Sequence, residues 1–115
     1  MQLNEYQEKA KTTDVFSGQK PVPVLHPSFA SKILGLSGEA GEVAEKFKKI
    51  IRDKNGEISE EDKRTIIAEL GDTLWYVALI AEYLGETLES VARANLNKLA
   101  DRKQREVLQS SGDDR

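Results

Sequence analysis

Apolar residues recur every three or four positions along most of this chain, the spacing that turns one face of an α-helix toward a core. Residues 3–11 read as a short amphipathic helix. From Ser28 to about Arg52, Phe29, Ile33, Leu36, Val43, Phe47, Ile50 and Ile51 keep the helical spacing. Asp53-Lys54-Asn55-Gly56 ends that helix, with Gly at the stop. Ser59-Glu60-Glu61-Asp62 is a capping-box type of start for a helix that runs to about Leu84, where Gly85 stops it. Thr87 caps a last helix from Leu88 to about Val107. All three prolines, Pro21, Pro23 and Pro27, fall in residues 12–27. That segment reads as a loop, because X-Pro steps disfavour helix. There is no strand-like alternation and no internal repeat. The pattern predicts one all-α domain over residues 1–115: three long helices, a short N-terminal one, and a polar tail at 109–115.

Charge and cysteine usage remove several function classes. Lys+Arg number 17 and Asp+Glu 20, a net charge of −3, without the basic excess of a general nucleic-acid binder. No apolar run approaches the ~20 residues of a membrane span. Zero Cys excludes disulfides, thiolate catalysis and Cys-based metal sites, and the single His26 excludes a multi-histidine site. The start, Met1 to Tyr6, lacks the basic and apolar regions of a signal peptide. The expectation is a cytoplasmic protein that binds neither nucleic acid nor membrane. Asp53 to Ile58 imitates part of a calcium loop, but aligning Gly56 puts Ile51 where the first carboxylate must stand. It reads as a helix–turn–helix connection.

Two acidic pairs carry the candidate chemistry. Glu39 and Glu42 lie at i, i+3 in one helix, and Glu69 and Asp72 at i, i+3 in the next. Each pair projects from one helix face. If the helices pack antiparallel, four carboxylates converge and repel by several kcal/mol, roughly what Coulomb's law gives at intermediate dielectric. A divalent cation resolves that repulsion, and all-oxygen ligands suit Mg²⁺ or Mn²⁺. The competing reading is plain surface carboxylates, which Glu45, Glu60, Glu61, Glu86 and Glu89 fit. Gly35, Gly38, Gly41 and Gly71 surround the acids, each costing a helix interior ~1 kcal/mol. Close approach of a ligand or backbone, or tight helix packing, accounts for them.

Cations accompany the acids. Lys46 and Lys49 lie seven residues after Glu39 and Glu42, and Asn95, Lys98 and Arg102 form an i, i+3, i+7 stripe. Lys and Arg beside a metal site point to a polyphosphate ligand. A solvated helix end is the reading for Lys48. Tyr76, seven after Glu69 and four after Asp72, shares the face of the acids. Trp75 reads as a core or interface residue, the commoner role of an aromatic in an apolar helix, although either Trp75 or Tyr76 could stack on a base. His26 reads as a cap or surface group beside proline.

Gly38-Glu39-Ala40-Gly41-Glu42-Val43-Ala44-Glu45, then Glu69-Leu70-Gly71-Asp72-Thr73-Leu74-Trp75-Tyr76, then Asn95-Leu96-Asn97-Lys98-Leu99 together resemble the MazG-like nucleoside triphosphate pyrophosphohydrolases of the all-α NTP pyrophosphatase superfamily. The resemblance covers about residues 30–105, and the tail 111–115 resembles the ending of some small members. It implies a four-helix domain forming a homodimer or a dimer of dimers, with the site near the subunit interface. It implies Mg²⁺-dependent hydrolysis of a (deoxy)nucleoside triphosphate to monophosphate and pyrophosphate, a house-cleaning type of reaction. Glu39, Glu42, Glu69 and Asp72 would bind metal. Lys49, Lys98 and Arg102 would face phosphates, and Asn95 would contact sugar or base, with Tyr76 beside it. A metal-activated water would attack the α-phosphorus, with Glu39 or Glu42 taking or orienting its proton. One departure is Gly38, where the family's EExxE has its first Glu; Glu45 is the available substitute. Phosphoribosyl-ATP pyrophosphohydrolase and a dUTP- or dCTP-specific enzyme are alternatives inside the superfamily. From another class, an inactive helical interaction module stays open.

Overall fold

The computed structural model describes residues 1–105. Four helices follow in order: α1 Leu3–Lys11, α2 Pro27–Lys54, α3 Glu60–Tyr83 and α4 Leu88–Gln104. No strand occurs among the described residues. The expected end of the last helix near Val107, and the tail, lie outside them.

Each boundary has a local cause. The His26 ring nitrogen Nδ1 accepts from the Ser28 amide at 3.1 Å, and Pro27 opens α2 with its φ already helical. His26 is therefore a cap, as its place beside proline predicts. Asn55 (φ 55°) and Gly56 (φ 80°) turn left-handed after α2, where Gly and Asn meet the least steric cost. Ser59 and Asp62 form a full capping box at the start of α3. Asp62 also takes the Lys54 ammonium at 2.8 Å, which closes the α2–α3 turn. The Lys54 hydrogen bond, then the Ser59 amide, hold the Asp62 carboxyl at about 2. Thr87 caps α4 through the Ser90 amide.

α2 and α3 form the long antiparallel pair, and α1 packs against α3 and α4. The main core lies at one end of this pair, where Ala10, Val22, Phe29, Ala78, Leu79, Tyr83 and Leu88 meet. Ile50 and Ile66 are buried toward the other end. Buried Gln7 fastens three elements at once. Its amide donates to the carbonyls of Ala78 and Glu86, and its oxygen accepts from the Leu88 amide at 2.8 Å.

An ion pair ties the loop to both long helices. Asp14 and Lys32 meet at 2.9 Å with side chains 2% and 7% exposed. Tyr83 Oη donates to the same carboxylate at 2.6 Å, as does the Phe16 amide at 3.2 Å. Burial pushes the Asp14 carboxyl up, but hydrogen bonds from Tyr83, Lys32 and the Phe16 amide together hold it below its ordinary value.

Asp14→Asn removes the counter-charge of a buried ammonium. We expect a loss of about 3–5 kcal/mol, read from denaturant unfolding. Because the folded pKa of Asp14 is depressed, its stabilisation is complete above the ordinary 3.8 and disappears as pH falls through the lower folded value. Acid unfolding of the native chain in that window should be steeper than that of the variant.

Candidate active site

Antiparallel packing sets the meeting of the two acidic motifs. One carboxylate oxygen each from Glu39, Glu69 and Asp72 lie within 4.8 Å of one another. Glu39 and Glu69 are half-buried and Asp72 is exposed. A hydrogen bond shared with Glu69, then lost hydration, then the charges of Asp72, Glu69 and Glu42 push the Glu39 carboxyl above its ordinary 4.5. Glu42 thus acts on the group through its field, yet it is exposed and stands outside the close trio. Glu45 is also outside it and pairs with Lys48.

The donors are all oxygen, with no imidazole or thiolate beside them. Such a set can hold a hard divalent cation. The three acids gather negative charge that a cation would relieve.

Glu39 and Asp72 line a cleft of about 250 Å³ together with Trp75 and Tyr76. Tyr76 stands on the face of the acids, as its spacing predicts. Its ring is seated over Gly35: a Cβ there would come within 2.2 Å of the ring. This close approach accounts for Gly35 in the helix interior. At Gly38, Gly41 and Gly71 a Cβ would meet nothing within 4 Å among the described residues, so packing between those residues does not explain the three.

Trp75 packs against the core cluster, as expected, but it also walls the cleft. The sequence carried that signal, since Trp75 lies at i+3 from Asp72 and so shares its face. Lys49 lines a different hollow, about 300 Å³, with Lys46, Lys54, Asp53, Asp62 and Thr65. Asn95 and Lys98 are exposed on α4, and Arg102 is buried near its end. α4 packs on α1 and α3, and none of these three residues lines the acidic cleft.

Two outcomes follow from this geometry. Gly35→Ala forces the Tyr76 ring to move and should cost about 1–3 kcal/mol, measured by chemical denaturation. A carboxyl whose pKa is raised on folding favours the fold at low pH and loses that contribution as pH rises through the folded value. Glu39→Gln should therefore melt at a higher temperature than the native chain at neutral pH without divalent cation. The gap should close as pH falls through the raised value.

A family model, the MazG nucleotide pyrophosphohydrolase domain, matches residues 28–107. The gene 37 protein of Mycobacterium phage L5 is 44% identical over 115 residues, covering 100% of each chain. No solved structure matches the chain. The described helices contain none long and apolar enough to cross a membrane. The matched span holds both acidic motifs and the cleft between them, and with it the chain belongs to the MazG nucleotide pyrophosphohydrolase family.

Proposed function

We propose that this pyrophosphohydrolase cleaves (deoxy)nucleoside triphosphates to monophosphate and pyrophosphate, using Mg²⁺ with Mn²⁺ as a substitute. The convergence of Glu39, Glu69 and Asp72 inside the matched domain is the observation that carries this reading. Glu39, Glu69 and Asp72 hold the cation, and Glu42 adds its charge from the edge. When bound, the cation supplies Lewis-acid polarisation of phosphoryl oxygens and lowers the pKa of water. Water attacks the α-phosphorus, and Glu39 or Glu42 takes its proton. The bond from the α-phosphorus to the bridging oxygen breaks, and pyrophosphate leaves. Lys49, Lys98 and Arg102 neutralise the phosphates, while Tyr76 and Asn95 contact sugar or base.

The working unit is a homodimer or a dimer of dimers. Ile67, Leu70 and Leu74 make an i, i+3, i+7 stripe on α3 and are all exposed, as are Leu34, Phe47 and Ile51 on α2. A contiguous exposed apolar stripe of this kind marks an association surface. A second copy laid along α2 and α3 covers it. That copy also brings its own α4 toward the cleft, which gives Asn95 and Lys98 a route to substrate.

The test is product identity. With each common dNTP and NTP plus Mg²⁺, ³¹P NMR should show monophosphate and pyrophosphate, lost on chelation. Orthophosphate plus diphosphate would sink the reaction class. Glu39→Gln and Asp72→Asn should lower kcat by more than about a hundredfold, with helicity retained by circular dichroism. Full Mg²⁺-dependent activity in either would refute the metal assignment. Leu70→Asp should shift the solution mass by light scattering toward a single chain; an unchanged mass would refute this interface.

A further inference from the structure

Trp75 is the single tryptophan of the chain, and it is held from three sides. Its indole Nε1–H donates to Thr13 Oγ1 at 2.7 Å. That hydroxyl in turn donates to the Ala10 carbonyl at 2.8 Å. The Lys32 ammonium stands 5.6 Å from the indole centroid, within the range of a cation–π contact. The Tyr76 ring meets the indole edge-on, with centroids 4.9 Å apart. Lys32 is itself fixed by buried Asp14, so little in this arrangement is free to turn. The ring is half-buried and lines the acidic cleft beside Glu39 and Asp72.

A packed tryptophan also finds a partner for its N–H; the particular feature here is that the held ring lines a cleft together with carboxylates. Here Thr13 from the loop, Lys32 from α2 and the neighbouring Tyr76 hold the ring in a cleft that it shares with Glu39 and Asp72. An aromatic plane beside an anionic, cation-binding group is suited to a ligand with a charged phosphate end and a flat heterocyclic end. Stacking on such a plane is tolerant of which base is present.

We propose that Trp75 is the stacking wall for the nucleobase, and that Thr13 and Lys32 are its positioning residues. This rests on the nucleotide reading above and extends it to the base end of the substrate. The base then lies against the indole while the phosphates extend to the acids. The loop after α1 belongs to the substrate site through Thr13, although it carries no acidic-motif residue.

The experiment uses α,β-imido nucleoside triphosphates with Mg²⁺, which resist cleavage at the α–β bridge. Inorganic tripolyphosphate is the baseless control. Titration should quench the emission of Trp75 with the nucleotide analogues and leave it nearly unchanged with tripolyphosphate. By calorimetry, Trp75→Leu should bind the analogues about tenfold more weakly, the loss typical of one stacked aromatic. Trp75→Phe should stay within a factor of about three, because a stacking face remains. Thr13→Val should weaken the analogues about threefold through the lost hydrogen bond. Tripolyphosphate affinity should stay constant in all three. Equal analogue affinity in Trp75→Leu and the native chain overturns the proposal. So does a parallel loss of tripolyphosphate, which would mark Trp75 as structural only. If the native chain binds neither analogue nor tripolyphosphate, the nucleotide reading itself falls, and the wall falls with it.

Discussion

The Asp14–Lys32 pair is the contact on which the arrangement of this chain depends. Two charges are taken almost wholly out of water, a cost of several kcal/mol per ion that close pairing must offset. The structure meets that requirement fully. The carboxylate accepts from Lys32, from the Tyr83 hydroxyl and from the Phe16 amide. The ammonium also faces the rings of Trp75 and Tyr83. Because Lys32 is on α2 and Tyr83 on α3, the pair sets the register of the two helices. Two turns along α2 from Lys32 comes Glu39. Two turns back along α3 from Tyr83 comes Tyr76, with Asp72 and Glu69 in the next two turns. The meeting of like charges in the candidate site is thus downstream of an attraction between unlike charges at the core.

That order explains where the sequence was legible and where it was not. Periodicity, prolines and caps located all four helices to within a few residues, because these features act over one or two turns. His26 was readable as a cap for the same reason. Spacing also told which acids share a helix face. It did not tell what stands opposite, which is why Glu42 was grouped with Glu39 although only Glu39 joins Glu69 and Asp72 in the close trio. Lys46 and Lys49 likewise follow the acids by two turns, yet they line a separate hollow. Asp14 bonds one near neighbour, the Phe16 amide, but the partners that bury Asp14, Lys32 and Gln7 lie 18 to 81 positions away in sequence, and a polar residue with a distant partner looks like any surface residue until the fold is known.

Glycine usage divides along the same line. Gly35 lets the Tyr76 ring lie directly against the α2 backbone, and a side chain there would make the ring shift. Gly38, Gly41 and Gly71 have no neighbour within reach of a Cβ among the described residues, so contacts between those residues place no such demand on them. The exposed Ile67, Leu70 and Leu74 on α3 are the surface that the proposed second copy would cover.

The fastening by Gln7 has a consequence in time. The α2–α3 hairpin is built from neighbours in sequence and can form as soon as both helices exist. The first helix can dock only once α3 stands, because it packs on α3 and Gln7 donates to the Ala78 carbonyl, and its fastening is complete only when the Leu88 amide of α4 is in place. During synthesis α1 must therefore wait for α3, and for full fastening α4, before it settles. The first helix is thus among the last elements to be fully fastened, although the loop after it is already tied to α2 and α3 through Asp14.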